Sequence, residues 1–382
     1  MKMIYFNCAA TSFQRPPCVA DAVLRAMNGF GNASRGTAEA ELDAARSVFR
    51  TRKELAELFG FDAPERVVFT TNVTEALNMA LFGLLNPGDR VVATDWDHNS
   101  VLRPLYQLEL KGVQLDFIHA DRSGNLSLEE AQEKITDGTK LVVCTHASNL
   151  TGNLLHLQKM AELAHRHGAL LLADAAQTAG TIPISMRDAG VDVLCFTGHK
   201  GLMGPQGTGG LCVGRNVEIR PLVLGGTGVQ SYLERQPDEY PTHLEAGTLN
   251  SHGIAGLGAA VRFILDTGVE NIHHQEMKLM RGFLDRIQDI PGLRTYGNFH
   301  GDRAAIVALN IGDIPSSDAA DFLMEKYGIA TRAGAHCAPR MHRALGTDKT
   351  GAVRFSFGYF NTEEELDIAA EALRKLAETW SS

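Results

Sequence analysis

A lysine and an aspartate each stand directly after an apolar, strand-like run, where charged side chains are uncommon. Lys200 follows the run 191–196 and precedes a glycine-rich segment, and Asp174 ends the run that begins at residue 169. A buried lysine loses its proton readily, and its neutral amine can hold an aldehyde cofactor as a Schiff base. A buried carboxylate is stable when it meets a cation, such as a protonated pyridine nitrogen. A solvated loop lysine and an internal ion pair are the alternatives at this stage.

A predicted helix start could bind the phosphate of such a cofactor. Asn72 stands three residues before Glu75, a spacing typical of a capped helix N-terminus, and the preceding run 66–70 is strand-like. Backbone N–H groups and the helix dipole attract anions at such a start. Thr197 and His199 could add donors to the same phosphate. Every βα unit has a helix start of this kind, so the signal is weak when taken alone.

Apolar strand-like runs alternate with amphipathic helices through the first two thirds of the chain. This order predicts an α/β fold with a mostly parallel central sheet covered by helices on both faces. Ligands bind at the carboxyl ends of the strands in such sheets. Polar residues follow five of the predicted strands: Thr74, His98, Asn149, Asp174 and Lys200. At that edge His98 could stack on a planar ring and move protons, although a lone histidine is more often structural.

The pattern of elements changes after about residue 265. Helices and short strands then alternate without the regular βα order, which predicts a smaller α+β domain. We predict a large domain over 15–265 and a small domain formed by 1–14 together with 266–382. Residues 332–351 are predicted to form a loop in this smaller domain.

The composition is that of an ordinary globular protein. The 382 residues are 44% hydrophobic and 21% charged, with a net charge of −9 and no basic run, so nucleic-acid binding is not expected. No apolar run approaches the roughly 18 residues that cross a membrane, and the N-terminus lacks the apolar core of a signal peptide. The six cysteines form no CxxC pair. We therefore expect a cytoplasmic protein without membrane association or a metal site.

Short motifs along nearly the whole chain, taken together, resemble a known family. They resemble the class V aminotransferase-fold enzymes that depend on pyridoxal 5′-phosphate (PLP), and among these the cysteine desulfurases and selenocysteine lyases of the SufS-like group. The resemblance implies PLP-dependent transferase fold type I and a homodimer with shared active sites. The matching segments are 7–12, 69–78, 97–100, 148–152, 174–177, 197–200, 245–250, 332–337 and 354–356.

The resemblance implies how the cofactor would be held. Lys200 would form the Schiff base, Asp174 would contact the pyridine nitrogen and Gln177 the phenolic oxygen, while His98 would stack on the ring. A phosphate site on the same subunit would consist of Val73, Thr74, Thr197 and His199. Thr248 would reach the phosphate of the neighbouring subunit's cofactor.

The resemblance also implies a reaction. Asn149 and Arg354 would bind the substrate carboxylate, and Arg332 would lie beside the reacting centre. Cys337, which could otherwise be an incidental loop cysteine, would accept sulfur from L-cysteine as a persulfide and pass it to an acceptor protein, leaving L-alanine. Attack requires a thiolate, and Arg332, Arg340 and His336 place positive charge nearby in the sequence.

Other activities stay open from the sequence. The chain could release selenium from L-selenocysteine, with less dependence on Cys337, because selenium is the better leaving atom. A different class V enzyme (an aminotransferase, an epimerase or a kynureninase-like hydrolase) would share Lys200 and Asp174 but would have no use for Cys337. A non-catalytic PLP-fold scaffold is the third alternative. Ala335 and Ala38 stand where the resembling enzymes carry histidines, which leaves the substrate preference open.

Overall fold

The computed structural model describes residues 3–33 and 36–380. A central sheet of seven strands and two small sheets account for its strands. Within the described residues these are β1 (Ile4–Tyr5), β2 (Val67–Thr70), β3 (Arg90–Thr94), β4 (Gln114–Ile118), β5 (Thr139–Thr145), β6 (Leu170–Asp174), β7 (Val193–Thr197), β8 (Gly209–Val213), β9 (Leu293–Tyr296), β10 (Ile306–Ile311), β11 (Ile329–Ala330) and β12 (Val353–Ser356).

Helices cover both faces of the central sheet and one face of the small part. They are α1 (Pro17–Gly29), α2 (Glu39–Leu58), α3 (Val73–Leu84), α4 (Asn99–Glu109), α5 (Leu128–Lys134), α6 (Leu157–Arg166), α7 (Ser251–Thr267), α8 (Val269–Ile287), α9 (Ser316–Tyr327), α10 (Pro339–Leu345) and α11 (Glu363–Trp380). None of these helices is long and apolar enough to cross a membrane.

The central sheet confirms the predicted α/β fold. Its strand order is β2-β8-β7-β6-β5-β3-β4. Only β8 runs antiparallel to its neighbours β2 and β7, and every other pairing is parallel. Helices α3 and α4 pack on one face, while α2, α5, α6 and α7 pack on the other. The parallel strands therefore end at one edge, where the loops that carry the predicted site residues meet.

The N-terminal segment belongs with the C-terminal part of the chain. Strand β1 pairs in parallel with β11, and Asn7 forms a bridge with Ser356. The three-stranded antiparallel sheet β12-β10-β9 lies beside this pair. Phe6 packs against Phe283, Phe355 and Phe357 in the core of this part. The contacts are those of the predicted small α+β unit, whose exact sequence boundaries stay a prediction.

Local signals gave several helix starts. The Asn72 side chain accepts the backbone N–H of Glu75 at 3.0 Å, as the spacing predicts. Thr362 and Glu365 form a reciprocal capping box at α11, with Glu365 accepting the Thr362 N–H at 3.1 Å. Helix α4 begins at Asn99, where the His98 ring caps it by accepting the N–H of Ser100.

Two helices were not predicted from the sequence. Helix α7 is rich in glycine, which disfavours helix formation in isolation. A Cβ at Gly258 would lie 2.3 Å from the Thr51 hydroxyl, and one at Gly256 would lie 2.6 Å from Val23, so these glycines permit close packing against α2 and α1. Helix α10 lies inside the predicted loop 332–351, where Pro339 begins the helix instead of interrupting it.

A buried ion pair anchors the irregular segment between β8 and α7. Arg52 of α2 donates two hydrogen bonds to the Glu245 carboxylate, at 2.8 and 2.6 Å. The two side chains are only 5% and 7% exposed. Glu245 also accepts the backbone N–H of Phe69 at 2.8 Å, so it joins this segment to β2. Removing one partner of such a pair leaves a buried, uncompensated charge.

We expect Arg52→Met to lower the free energy of unfolding by about 3–5 kcal/mol, because Glu245 would stay buried without its cation. Urea denaturation followed by circular dichroism measures the change. Arg46→Met is the matched control, since Arg46 also pairs with carboxylates but is 58% exposed, and we expect little effect. Equal unfolding midpoints for the two variants would contradict a stabilising role of the buried pair.

Candidate active site

A pocket opens at the carboxyl edge of the central sheet and gathers most of the predicted site residues. It is lined by Asn72, Val73, Thr74, His98, Ser100, Thr145, Asn149, Asp174, Ala176, Gln177, Thr197, His199 and Lys200. Because these residues come from the ends of five strands, their proximity is a direct consequence of the parallel topology.

Lys200 lies just after β7, on a loop held by the N-terminal segment. The Ser12 hydroxyl donates to the Lys200 carbonyl at 2.7 Å, and the Ser12 N–H donates to the His199 carbonyl at 2.9 Å. Burial lowers the pKa of Lys200 to about 8, with Arg354 acting in the same direction and Asp174 against it. The amine is therefore neutral in roughly a tenth of molecules at pH 7, far more than for an ordinary lysine, and the neutral form is the one that attacks an aldehyde.

Asp174 ends β6 and is almost completely buried. One carboxylate oxygen accepts the backbone N–H of Ala176 at 2.9 Å, and no described residue forms an ion pair with it. Burial raises the pKa of Asp174, and the nearby charge of Lys200 counteracts part of this rise. A buried carboxylate without a paired cation is suited to a protonated ring nitrogen.

The first turn of α3 and the end of β7 form a cradle for an anion. Val73 and Thr74 occupy the first helical positions, where backbone N–H groups lack acceptors within the helix. The Thr197 hydroxyl is buried and has no hydrogen-bond partner among the described residues. A Cβ on Gly209 would lie 2.7 Å from the Asn72 Cα, so the glycine lets β8 approach the helix start. The cradle is compatible with a phosphate group.

His199 and Gln177 both contact the N-terminal segment. The His199 Nδ1 atom lies 3.0 Å from the Thr11 hydroxyl, and burial lowers the pKa of His199 to about 4. The Gln177 amide donates to the Ala9 carbonyl at 3.1 Å. Both side chains line the pocket, as the resemblance requires for their predicted roles.

The His98 ring has a defined tautomer. Its Nδ1 atom accepts the backbone N–H of Ser100 at 3.0 Å and lies 2.9 Å from the Ser100 hydroxyl. That hydroxyl lies 2.8 Å from the hydroxyl of Thr74. Burial, reinforced by the charge of Lys200, lowers the pKa of His98 to about 4, so the ring is neutral and carries its proton on Nε2. The sequence analysis did not predict a role for Ser100, although this residue lies in the matching segment 97–100.

A second set of missed residues supports the floor of the pocket. Asp97 is fully buried, accepts the Thr94 N–H at 2.7 Å and accepts the Thr145 hydroxyl at 2.9 Å. Burial raises the pKa of Asp97 to about 7. The position of Asp97 in the loop after β3 could have identified it from the sequence, because a charged residue between two apolar elements needs partners.

Arg354 contacts Asn149, which lines the pocket. Arg354 is fully buried in β12 and donates to the Asn149 carbonyl at 2.7 Å and to the Asn7 side chain at 3.2 Å. Its Nε atom and the Asn149 Oδ1 atom have no hydrogen-bond partner within the described residues. Burial lowers the pKa of Arg354 to about 9. A carboxylate ligand would supply the acceptor that the Arg354 Nε atom lacks, whereas the Asn149 Oδ1 atom requires a hydrogen-bond donor.

The thiol of Cys337 faces one cation of the three expected from the sequence. Arg332 Nη2 lies 3.8 Å from the Cys337 sulfur. The expectations for the other two were wrong. Burial lowers the pKa of His336 to about 2, so its ring is neutral, and Arg340 pairs with Asp95 at 2.7 Å. Arg340 is turned away because Asp95 and the Phe117 ring, 3.5 Å away, bind its guanidinium.

Thr248 lies apart from the other site residues. It lines a separate depression together with Arg52, Glu245 and Thr227, on the far side of the segment that the buried ion pair anchors. Within one chain it therefore cannot serve the pocket around Lys200. Its predicted role at the cofactor of a neighbouring subunit stays a prediction.

The comparisons with known proteins agree with this fold. The family model described as aminotransferase class V matches residues 4–368. The chain belongs to the class V aminotransferase family, whose enzymes depend on PLP.

Its relatives are more specific. A protein of Methanothermobacter thermautotrophicus, named probable cysteine desulfurase, is 34% identical over 98% of this chain and 94% of its own length. The cysteine desulfurase of Haloferax volcanii is 33% identical over 97% and 88%. The apo structure of cysteine desulfurase from Thermococcus onnurineus superposes with a TM-score of 0.92 at 33% identity, covering 99% of this chain and 95% of that one.

We expect labelling of Lys200 in the cofactor-free protein to be half-maximal near pH 8, because burial holds its pKa there. Replacing Asp174 by asparagine removes a charge that favours the ammonium form, so Asp174→Asn should move the midpoint to lower pH. Peptide mapping after reductive methylation at a series of pH values measures both. The exposed Lys159 is the internal standard, and a Lys200 midpoint near the ordinary 10.5 would contradict the assignment.

Proposed function

We propose that this chain is a PLP-dependent cysteine desulfurase, which converts L-cysteine to L-alanine and retains the sulfur as a persulfide on Cys337. The observation that carries the proposal is the Cys337 thiol, 3.8 Å from the Arg332 guanidinium. Both groups are close enough to Lys200 to affect its pKa. The names of the relatives support the same activity.

The polar groups of the pocket fit the cofactor. Asp174 would hold the pyridine nitrogen, and Val73, Thr74, Thr197 and His199 would hold the phosphate. Gln177 would reach the phenolic oxygen and His98 would cover the ring. The orphaned Thr197 hydroxyl and the unpaired Asp174 carboxylate are the two features that most require such a ligand. When bound, PLP supplies the aldehyde that captures the substrate amine and the electron sink that makes the Cα proton acidic.

The chain's own residues account for substrate binding and proton movement. Arg354 and Asn149 bind the substrate carboxylate and thereby fix the orientation of Cα. The neutral Nζ atom of Lys200 takes the Cα proton, which its lowered pKa permits near neutral pH. His98, neutral with its proton on Nε2, would be able to donate a hydrogen bond to the substrate.

Sulfur transfer uses the thiol on the acceptor loop. The Cys337 thiolate attacks the substrate sulfur, so a sulfur–sulfur bond forms and the substrate carbon–sulfur bond breaks. The electron pair of that bond stays with the three-carbon fragment, which takes up protons and leaves as alanine. Arg332 stabilises the thiolate before attack. An acceptor protein then takes the persulfide sulfur from this half-buried loop.

The finer assignments belong to the same proposal. The protein works as a homodimer in which Thr248 completes the phosphate site of the other subunit, and it acts in the cytoplasm. Two observations support the dimer: Thr248 lies outside its own pocket, and Leu224, Val229 and the fully exposed Tyr232 lie on the same irregular segment between β8 and α7.

Cys337→Ala should lower alanine release from L-cysteine by at least about 100-fold and abolish the persulfide, because the sulfur loses its nucleophile. Alanine is measured by chromatography and the persulfide by mass spectrometry. Cys18→Ala, which removes another half-buried thiol, is the matched control. Full activity of Cys337→Ala would end the persulfide assignment. The same assay with L-selenocysteine tests selenium release, which depends less on the thiol.

Lys200→Ala should abolish the covalent, borohydride-reducible link between protein and cofactor, since no other described lysine lines this pocket. The readout is the mass of the reduced adduct together with its absorbance near the visible edge. Lys159→Ala is the control and should keep the adduct. An adduct that persists in Lys200→Ala would place the Schiff base elsewhere.

A further inference from the structure

A buried row of hydrogen-bonded polar side chains begins in the loop 331–338, which carries Cys337 and which we call the acceptor loop. His336, His342 and Thr347 are 2%, 1% and 4% exposed. The His336 Nε2 atom lies 3.0 Å from the Arg332 carbonyl, and its Nδ1 atom lies 3.3 Å from His342 Nε2. The His342 Nδ1 atom lies 2.8 Å from the Thr347 hydroxyl. We call these three residues the imidazole chain.

The hydrogens of the imidazole chain have one consistent arrangement. A carbonyl only accepts, so His336 must donate to Arg332 from Nε2. Because burial keeps His336 neutral, its Nδ1 atom is an acceptor and takes the N–H of His342 Nε2. Burial also lowers the pKa of His342, so its Nδ1 atom accepts from the Thr347 hydroxyl. Each member therefore fixes the tautomer of the next, as far as the Arg332 carbonyl.

The imidazole chain ends at the Arg332 carbonyl, which accepts two hydrogen bonds. Besides His336, the Arg332 carbonyl accepts the backbone N–H of Arg354 at 2.8 Å. The imidazole chain thus joins the backbone of Arg332 to the strand that carries the buried guanidinium of Arg354. It holds the thiol's cation and the proposed carboxylate receptor in one rigid unit.

The acceptor loop itself has an unusual backbone. His336 and Cys337 have φ angles of 53° and 57°, in the left-handed region that side chains other than glycine seldom adopt. The His336 carbonyl accepts the Asn149 amide at 2.7 Å, and the Cys337 carbonyl accepts the Asn99 N–H at 2.9 Å. A strained conformation of this kind persists only where surrounding contacts determine it.

We propose that His342 and Thr347 are positioning residues for sulfur transfer, which hold Cys337 beside Arg332 through the tautomer-fixed ring of His336. The inference rests on the proposed function and deepens it. Neither residue lines the pocket or contacts the thiol, so both act only through His336. The nucleophile is then ready in the resting enzyme and does not depend on substrate to order its loop.

The thiol reports on this arrangement through its reactivity with iodoacetamide. Arg332, Lys200 and Arg354 are the charged groups that interact with Cys337, while neutral His336 and neutral His98 lie beside them. Displacing Arg332 would remove the guanidinium that lies 3.8 Å from the sulfur, so the rate of alkylation at a fixed pH should fall.

The experiment measures the rate of Cys337 alkylation at a fixed pH in the holoenzyme, together with kcat and KM for L-cysteine. We expect His342→Leu, which removes the donor to His336, to lower the alkylation rate about tenfold. Its kcat should fall about tenfold with KM changed less than twofold, because Arg354 and Asn149 still bind the carboxylate. Thr347→Val should shift both in the same direction by less. His342→Gln and Thr347→Ser, which keep a donor, should restore wild-type values.

Arg343→Ala, on the exposed face of the same helix, is the matched control and should leave every value unchanged. Thr347→Val is nearly isosteric, so it provides the test if His342→Leu does not fold. Unchanged alkylation rates in the folded variants would overturn the proposal, even if kcat falls, because a general loss of structure would then explain the activity. A wild-type enzyme that forms no alanine would instead refute the proposed function, while the alkylation rates would still decide the role of the imidazole chain.

Discussion

Burial of ionisable groups at the carboxyl ends of β6 and β7 is the constraint on which the site depends. Asp174 is 2% exposed and has one backbone donor, while Lys200 is held at the mouth of the same pocket. Each charged form is costly without a partner. The protein's own groups compensate these buried charges only in part. The site is therefore suited to a ligand that carries charges of its own.

The charged groups around the pocket include more cations than carboxylates. Lys200, Arg332 and Arg354 converge there, while Asp174 and Asp97 lie deeper, at the sheet edge. Two anionic groups are therefore needed, one at the start of α3 and one at Arg354. A phosphorylated cofactor and an amino-acid carboxylate meet these two requirements. This division separates the binding of the cofactor from the orientation of the substrate.

The sequence predicted what depends on local patterns and on strand topology. The Asn72 cap, the parallel sheet and the convergence of Lys200, Asp174 and His98 follow from short-range signals and from the rule that strand ends meet. The glycine-rich α7 could not be predicted, because its glycines are explained by the helices that pack on it. The orientation of the Arg340 side chain depends on Asp95, which is 245 residues away in the sequence. A local sequence pattern cannot reveal so distant a partner.

The pairing of the N-terminal segment has a consequence for how the protein folds. Strand β1 pairs with β11, Asn7 forms a bridge with Ser356, and the same segment supplies the Ser12 hydroxyl that supports the Lys200 loop. These partners lie far apart in the sequence, so bringing them together carries a cost in loop-closure entropy. The central sheet can form from strands that lie closer together in the sequence, but Lys200 reaches its final surroundings only after the distant segments have met.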